Sequence, residues 1–338
     1  MKRHGNLFEK IIDIENIKLA HKLAQRGKQH YTAVKRINKN PEPFLQRIQK
    51  MLISGTFTTS EYKSEMRFDG GKWREIHKLP YYPDRIVQHA IMNVCGPIWR
   101  KMFIRDTFQS IEGRGTHDAK KRVEAYLKSE PKAHAIKIDI EKYYPSVNNE
   151  LMKKCVRKNI KCMKTLRLLD DIIDSHSGLP IGNYTSQYFG NLFLTQFDWW
   201  IKQTIRLKGY FRYCDDIVFM HKDSKFLHRI FVASEKMLKK IGLKIKDSIS
   251  YRYVCKQGLD FCGFVFFATH TKLRKKIASN IKTKALQKNP KKLCDSLVSY
   301  WGWVKGIHAK SLWRKIVTPD ILKLTDGVYA SNPLRSTA

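Results

Sequence analysis

Two adjacent carboxylates, Asp215 and Asp216, follow a Tyr-Cys pair and lie between two short hydrophobic segments. The pattern predicts a strand, a tight turn and a second strand, with both carboxylates at the tip. Adjacent carboxylates repel each other, and their oxygen atoms are ligands that Mg²⁺ prefers. A third carboxylate, Asp139, lies near the end of an apolar segment, 133–140, that also predicts a strand. The three side chains together indicate a two-metal phosphoryl-transfer site.

An ordinary polar turn is the alternative interpretation of an Asp-Asp pair, and Asp139 would then be a helix cap or a surface carboxylate. The flanking strands and the second carboxylate-bearing strand favour metal binding. In nucleotidyl transfer a 3′-hydroxyl attacks the α-phosphate of a triphosphate. One Mg²⁺ lowers the pKa of that hydroxyl, and a second Mg²⁺ neutralises the departing pyrophosphate. Such a site needs carboxylates from rigid neighbouring strands.

The chain is strongly basic, with 65 Lys and Arg against 30 Asp and Glu among 338 residues, a net charge of +35. This excess predicts a polyanionic partner, with nucleic acid favoured over an anionic membrane. An apolar content of 42% indicates a globular chain. The apolar runs are too short to span a bilayer, so we expect no membrane association. The seven cysteines form no CxxC pair, which predicts reduced thiols and a cytoplasmic protein.

Several elements must position these carboxylates. The pattern predicts helices over most of residues 1–60, a β-hairpin over 66–79 with its turn at Asp69-Gly70-Gly71, and helical segments over 84–128 broken by a loop at 112–116. It further predicts a helix from an Asn148 or Asn149 cap to about 164, a helix after Gly182 with three phenylalanines on one face, a helix over 225–241 and a strand over 259–267.

Residues 261–294 contain nine Lys or Arg and no acidic residue, which places a boundary near residue 270. Beyond it, apolar residues recur at helical spacing and predict the core of a small helical domain rather than a base-stacking surface. They are Leu297, Tyr300, Trp301, Val304 and Ile307. The last residues are rich in Ser, Asn, Pro and Thr and predict a frayed tail.

Five ordered motifs resemble those of reverse transcriptases. The Tyr213–Asp216 box is similar to their Tyr-x-Asp-Asp motif, and residues 137–147, 178–187, 242–246 and 259–264 resemble their other palm motifs in the same order. The resemblance implies an α+β, right-hand polymerase fold with fingers, a palm of antiparallel sheet plus helices, and a small helical thumb. The expected division is an N-terminal helical extension (1–65), fingers and palm (66–270), a basic helical thumb (271–325) and a flexible tail (326–338).

Finer details resemble one group, the reverse transcriptases of diversity-generating retroelements from bacteria or phages. The block 181–187 reads Ile-Gly-x-x-x-Ser-Gln, which is typical of that group. Residues 113–117 and 269–275 also resemble it. Only 75 residues follow Gly263, which leaves little room for a nuclease domain of the retroviral or group II intron type.

The resemblance implies residue roles. Asp139, Asp215 and Asp216 would be the catalytic ligands of two Mg²⁺ ions, with Mn²⁺ as a substitute and the Ile140 carbonyl assisting. Tyr144 would be the steric gate against ribonucleotides, although Tyr143 or Tyr144 could equally belong to the core. The expected nucleotide-binding residues are Lys72, Arg74, Tyr144, Ile181, Gly182, Gln187, Lys244 and Lys246, of which Lys244 or Lys246 would protonate pyrophosphate. The expected primer grip is Phe261, Cys262 and Gly263.

Ile181 is a departure from most bacterial reverse transcriptases, which carry glutamine there. Glutamine can form hydrogen bonds with the nucleotide, whereas isoleucine neither donates nor accepts. We therefore expect relaxed selection, and the resemblance implies error-prone cDNA synthesis at template adenines. It also implies dNTP substrates, a template RNA, a cDNA primer–template duplex and a small basic oligomeric accessory protein. The alternatives are a retron, abortive-infection or CRISPR-associated reverse transcriptase, or a non-catalytic RNA-binding protein.

Overall fold

A computed structural model describes residues 3–69, 71–307, 309–329 and 331–337. The helices within these ranges are α1 (Phe8–Ile12), α2 (Ile14–Ala24), α3 (Thr32–Lys39), α4 (Pro41–Ser54), α5 (Ile86–Arg100), α6 (Thr116–Ser129), α7 (Tyr143–Ser146), α8 (Asn149–Arg157), α9 (Met163–Asp174), α10 (Tyr184–Phe193), α11 (Thr195–Trp199), α12 (Ser224–Lys240), α13 (Val254–Gln257), α14 (Lys275–Ala285), α15 (Pro290–Val304), α16 (Lys310–Ile316) and α17 (Pro319–Thr325). The strands are β1 (Lys63–Asp69), β2 (Lys72–Lys78), β3 (His134–Asp139), β4 (Gly209–Tyr213), β5 (Asp216–His221), β6 (Ser250–Tyr253), β7 (Leu259–Phe261), β8 (Phe264–Phe266) and β9 (Thr271–Leu273).

The chain divides into two compact units. The first comprises Met1–Ile111, Asp139–Arg206 and Val232–Asp247, and the second comprises Glu112–Ile138, Leu207–Phe231 and Ser248–Ala338. Among the described residues no helix has both the length and the apolar character needed to cross a bilayer. The described cysteines are all free, as the sequence predicts.

Helices α1–α4 open the first unit and confirm the helical prediction for the N-terminal region. Asp13 caps α2 by accepting a hydrogen bond from the Glu15 amide at 2.9 Å. Pro41 occupies the first turn of α4, where a missing amide proton costs nothing, and Gly55 ends that helix with a φ of +70°. The helices present Ile17, Val34 and other apolar side chains to a dry core against α5.

Two helix predictions in the first unit are wrong in extent. The helix predicted from Asn148 to about 164 ends at Arg157, and α9 starts separately at Met163. The chain leaves the helix between them because Ile160 is fully buried and forms a parallel bridge with His4. The expected cap is confirmed, since the Asn148 side chain accepts a hydrogen bond from the Leu151 amide. The phenylalanine-rich helix after Gly182 is two helices, α10 and α11, and Phe189, Phe193 and Phe197 are all buried.

A four-stranded sheet in the order β4-β5-β3-β6 organises the second unit. Strands β4 and β5 are antiparallel and almost wholly buried, so apolar residues occupy both faces of the hairpin. Strand β6, which the sequence did not predict, pairs with β3 in antiparallel register. Helix α6 packs beside β4, where a Cβ atom at Gly209 would lie 2.6 Å from the Tyr126 ring.

A second sheet, β7-β8-β9, corrects the prediction of one continuous strand over 259–267. The chain reverses at Cys262 and Gly263, whose φ angles are +50° and +85°. A Cβ atom at Gly263 would lie 2.6 Å from the Trp303 ring, so glycine is required at this turn. Strand β9 follows residue 270 and completes this sheet, and the helices of the C-terminal region begin with α14 at Lys275.

The predicted helical core after residue 270 is present. Leu297 and Val304 are fully buried with other apolar residues of α14–α17, and Tyr300 and Trp301 pack against them. The flexible tail predicted over 326–338 stays a prediction, and its described residues include buried side chains. Leu334 is fully buried in the same core, and Trp313 Nε1 donates a hydrogen bond to Thr337 Oγ1 at 3.1 Å. The apolar leucine inside a polar tail provides the burial that holds it.

Candidate active site

The hairpin β4–β5 presents the two adjacent carboxylates at its tip, as predicted. Tyr213 pairs with Asp216, so Cys214 and Asp215 form a two-residue turn. Cys214 has a φ of +59°, which such hairpin turns require. The Arg212 guanidinium is fully buried and donates a hydrogen bond to the Cys214 carbonyl at 3.0 Å. This buried donor holds a strained turn in place and keeps Asp215 half-exposed at the tip.

Lys137 links one carboxylate to the second sheet, a role that the sequence interpretation missed. Its ammonium nitrogen lies 2.9 Å from Asp216 Oδ2 and donates to the Asp260 carbonyl at 3.0 Å. The Asp260 carboxylate in turn accepts a hydrogen bond from Arg274 Nε at 2.8 Å. The detectable signal was position, because Lys137 stands two residues before Asp139 in one strand and therefore shares its face.

In the first unit, Asp139 begins a short pairing with residues 244–246. The Lys246 amide donates to the Asp139 carbonyl at 2.9 Å, and the Glu141 amide donates to the Lys244 carbonyl at 2.8 Å. The Lys246 ammonium group forms an ion pair with the Asp139 carboxylate. Lys244 is largely exposed and lies 3.4 Å from Glu141. The structure therefore places Lys246, and not Lys244, at the predicted carboxylate.

The predicted metal ligands provide the right kind of donor atom. Asp139, Asp215 and Asp216 offer hard carboxylate oxygens, which suit Mg²⁺ and Mn²⁺ rather than soft metals. In the part of the chain that the structure describes, no three His, Cys, Asp or Glu side chains form a group able to hold a metal ion. Lysine ammonium groups instead neutralise Asp139 and Asp216. The donor chemistry thus fits a divalent cation that displaces these two lysines.

Tyr143 and Tyr144, which the sequence could not distinguish, lie in different environments. Tyr143 is 2% exposed, and its hydroxyl donates to the Gly190 carbonyl. Tyr144 is half-buried, and its ring lies 3.7 Å from the position of a Cβ atom at Gly190. Its carbonyl accepts a hydrogen bond from Leu179 at 2.8 Å. Tyr143 is therefore a core residue, and Tyr144 is the one available to touch a ligand.

The loop around Ile181 is tied to the hairpin β1–β2. The His77 amide donates to the Ile181 carbonyl at 2.8 Å. Gly182 has a φ of +130°, and a Cβ atom there would lie 2.5 Å from the His77 carbonyl oxygen. The Ile181 side chain is half-buried, and Gln187 is exposed on α10. The backbone contact fixes where the Ile181 side chain lies relative to β2.

The hairpin predicted over 66–79 is confirmed and begins earlier, at Lys63. Its predicted turn includes Gly70, which lies outside the described residues. Lys72 and Arg74 are exposed on β2, and alternation puts them on the same face as Ile76 and opposite to Trp73. Ile76 leads to the 178–183 loop, since its Cγ2 atom lies 3.3 Å from a Cβ atom placed at Gly182. The two basic residues therefore occupy the face that continues into this loop.

The predicted primer-grip residues form the turn between β7 and β8. The Phe261 side chain is fully buried and Cys262 is 8% exposed, so neither side chain is presented to a ligand. Burial, followed by the nearby Asp216 carboxylate, raises the pKa of the Cys262 thiol far above its ordinary value. A primer contact at this turn would consequently use backbone atoms, and the grip assignment stays a prediction.

Solved structures with a similar fold define the class first. Telomerase from Candida albicans, solved with a fragment of telomeric RNA, superposes with a TM-score of 0.52 at 12% identity over 80% of this chain and 60% of its own. Apo telomerase from Candida tropicalis gives 0.53 at 13% identity, over 79% and 57%. At such low identity the likeness establishes the fold alone, which is the right-hand polymerase fold.

The sequence of the chain identifies the family to which it belongs. The profile of the reverse transcriptase (RNA-dependent DNA polymerase) family matches residues 63–266, and the chain belongs to that family. Protein YkfC of Escherichia coli K12 is 26% identical over 147 residues, which is 39% of this chain and 38% of YkfC. The chain thus spans well under half of that relative's length and about three-fifths of the telomerase chains.

Proposed function

We propose that this protein is an RNA-directed DNA polymerase that extends a primer on an RNA template by two-metal nucleotidyl transfer. The observation that carries the proposal is the β4–β5 turn with Asp215 and Asp216, in a chain of the reverse transcriptase family. Strand β3 lies beside β5 in the sheet and ends at Asp139, which supports a three-carboxylate set. A binding protein without catalysis would have no use for such a set.

Asp139, Asp215 and Asp216 would hold the metal ions, with the Ile140 carbonyl as a further oxygen donor. Mg²⁺ held by these oxygens would supply charge that lowers the pKa of the primer 3′-hydroxyl and neutralises pyrophosphate. Ile140 forms a non-hydrogen-bonded pair with Ile245, so its carbonyl points away from that strand. The chain itself would hold these oxygens in place, because strands β4 and β5 next to the turn are almost wholly buried.

Residues of the first unit would bind the incoming nucleotide. Lys72 and Arg74 are exposed cations on the face of β2 that leads to the 178–183 loop, and a guanidinium binds phosphate oxygens in a bidentate manner. The half-buried Tyr144 ring would exclude a ribose 2′-hydroxyl. Lys246 is favoured over Lys244 as the proton donor to pyrophosphate because its ammonium group already lies at Asp139.

The finer proposal is that the enzyme belongs to a diversity-generating retroelement and makes adenine-mutagenic cDNA. Ile181 supports it, because its side chain offers no hydrogen bond to a base while the Gly182 contact holds it beside β2. A template-repeat RNA and a small basic accessory protein are the partners that belong to this proposal, with dNTPs as substrates in a bacterial cytoplasm.

Primer extension on a short RNA template with Mg²⁺ tests the polymerase proposal. We expect extension by the wild type and none by Asp215→Ala, because one of the metal ligands is removed. Asp320→Ala is the matched control, since Asp320 is an exposed carboxylate on α17 in the same unit. Equal extension by Asp215→Ala and the wild type would reject Asp215 as a metal ligand. A wild type that extends nothing would favour a polymerase fold used only for binding.

Sequencing the products tests the fidelity proposal separately. Ile181→Gln should lower misincorporation opposite template adenine by roughly fivefold or more, the effect of about one added hydrogen bond. Ile181→Val is the control, because it keeps an apolar side chain and should keep the error spectrum. Unchanged adenine errors in Ile181→Gln would reject this role for Ile181 and leave the polymerase proposal standing.

A further inference from the structure

A pocket of about 730 Å³ opens in the second unit, on α6 and away from the hairpin tip. Its walls come from α6, from the segment between β8 and β9, and from the turn after α15. The residues that line it are Lys120, Glu124, Leu127, Lys128, Phe267, Ala268, Thr269, His270, Thr271, Lys305, Gly306, Ile307 and Ser311. The lining combines cations, hydroxyl groups and aromatic rings, which are groups that bind polar and planar ligands.

The pocket is separate from the carboxylate tip. The Tyr126 hydroxyl on α6 donates to the Met220 carbonyl at 2.9 Å, and Met220 lies four residues beyond Asp216 along β5. A strand rises about 3.3 Å per residue, so about 13 Å of strand separates the two positions. Glu124 and Lys128 each lie two residues from Tyr126 on α6 and therefore on the opposite side of that helix. A ligand in the pocket would therefore contact the protein at a place other than the predicted metal site.

A fixed polar network forms the floor of the pocket. Lys120 is 8% exposed, and its ammonium nitrogen lies 2.8 Å from Glu124 Oε2. The Thr271 hydroxyl donates to Glu124 Oε1 at 2.6 Å. Each carboxylate oxygen retains a second lone pair. Glu124 is thus neutralised and held in one orientation, where it can still accept a hydrogen bond from a hydroxyl donor.

Positive charge dominates the rim. Lys128 and Lys305 are exposed and form no ion pair with any described residue, so Glu124 alone opposes three lining lysines. The positive charge also acts on the nearby His117 imidazole. Burial first, and then the charges of Lys305, Lys120 and Lys121, lower the pKa of His117. Two ammonium groups without acceptors on a concave rim suit the phosphates of a nucleic-acid strand.

Stacked rings stand beside the cations. The Phe267 and His270 rings lie 4.7 Å apart at an angle of 10°, and the Lys272 ammonium group lies 5.1 Å from the Phe267 centroid. His270 is exposed, so its ring can be reached by a planar group from solvent. Bases of single-stranded RNA stack on exposed aromatic rings, and neighbouring lysines bind the phosphates.

We propose that this pocket binds a nucleotide of a single-stranded RNA segment, with Lys128 and Lys305 on its phosphates, its base against His270, and its ribose 2′-hydroxyl donating to Glu124. A carboxylate repels phosphate but accepts from a hydroxyl, which is why RNA fits this floor better than DNA. The two sequence segments that catalysis leaves unused both reach this region. Segment 269–275 supplies Thr269, His270 and Thr271 to the lining, and segment 113–117 ends three residues before Lys120 on α6. The proposal rests on the proposed function only in naming RNA as the polyanion.

Fluorescence anisotropy with one labelled single-stranded RNA, and with DNA of the same sequence, tests the proposal at several salt concentrations. Lys128→Ala/Lys305→Ala should weaken RNA binding by roughly tenfold and reduce the slope of log affinity against log salt by about 1.4, or 0.7 for each lost phosphate contact. Lys22→Ala/Lys50→Ala is the charge-matched control, since both lysines are exposed on the first unit. The control should keep the wild-type slope.

The outcomes separate cleanly. A wild-type slope and affinity in the Lys128/Lys305 variant, or equal changes in the control, would overturn the pocket. Equal wild-type affinities for RNA and DNA would overturn the 2′-hydroxyl contact to Glu124, because that contact should make the wild type prefer RNA by roughly fivefold, the effect of about one hydrogen bond. The anisotropy assay contains neither Mg²⁺ nor dNTP, so a failure of the polymerase proposal appears in the extension assays and leaves the anisotropy result unaffected.

Discussion

Replacing Lys137 by methionine keeps the aliphatic stem and removes the ammonium group that contacts Asp216 at 2.9 Å. Hydrogen bonds to charged groups contribute about 1.5–3 kcal/mol. The two side chains are 23% and 27% exposed, so solvent screening puts their interaction in the lower part of that range. We expect a coupling free energy of about 1–2 kcal/mol between Lys137 and Asp216 in the metal-free protein.

A double-mutant cycle measures this coupling directly. The four proteins are the wild type, Lys137→Met, Asp216→Asn and the double variant, unfolded with urea in the presence of EDTA and followed by circular dichroism. The control cycle joins Lys153 to Asp174, an ion pair at 2.7 Å whose carboxylate is 49% exposed. That exposed pair should couple by about 0.5 kcal/mol or less.

Metal adds a second readout to the same cycle. If Asp216 is a metal ligand, saturating Mg²⁺ displaces the Lys137 ammonium group and the coupling falls toward zero, while the control cycle is unchanged. A metal-free coupling below about 0.3 kcal/mol would refute the structural role assigned to Lys137. A coupling that Mg²⁺ leaves intact would contradict the assignment of Asp216 to the metal.

Two further changes test the first unit. Gly182→Ala places a Cβ atom 2.5 Å from the His77 carbonyl oxygen at a φ of +130°. We therefore expect thermal unfolding to show about 2 kcal/mol of destabilisation, together with a loss of primer extension. Wild-type values for both would disprove the close contact. His89 is buried, and burial, then Arg85, lowers its pKa to about 3. The unfolded chain therefore binds more protons below pH 6.5. Wild-type stability should fall by about 2 kcal/mol between pH 6.5 and pH 5 relative to His89→Phe, as measured by urea unfolding. Parallel curves would show that folding does not lower the pKa of His89.

The carboxylate hairpin was predictable because its signal is local. Alternating apolar residues around Tyr213–Asp216 define both strands and the turn, whatever the rest of the chain does. What holds the turn was not predictable, since the positive φ of Cys214 depends on a hydrogen bond from the buried Arg212. Nothing in the sequence distinguishes Arg212 from the other 64 cations before the sheet is assembled.

The errors in the predicted secondary structure arise where contacts with residues distant in the sequence determine the local structure. The helix after Asn148 stops because Ile160 pairs with His4, more than 150 residues away along the chain. The strand over 259–267 reverses at Cys262-Gly263 because Trp303 and Ile277 leave no room for a side chain there. Periodicity describes each segment in isolation, so contacts of this kind lie outside what it can predict.

The two tyrosines illustrate the same limit at the site itself. Tyr143 and Tyr144 are equivalent in the sequence, and only the packing of α10 against α7 puts one in the core. The Gly190 carbonyl accepts a hydrogen bond from the Tyr143 hydroxyl, and the missing side chain of Gly190 leaves space next to the Tyr144 ring. The resemblance to reverse transcriptases assigns the gate to Tyr144, and that assignment stays a prediction, which the half-buried position of Tyr144 allows.

The most direct test of the polymerase proposal is the rate of single-nucleotide incorporation on an RNA template. This rate is compared between the wild type and Asp215→Ala. We predict Mg²⁺-dependent incorporation by the wild type and a loss of at least about a thousandfold in the variant, with RNA affinity and thermal stability retained. Incorporation by Asp215→Ala at the wild-type rate would contradict the metal-ligand role of the hairpin tip. A folded, RNA-binding wild type that incorporates nothing with Mg²⁺ or Mn²⁺ would contradict the polymerase itself.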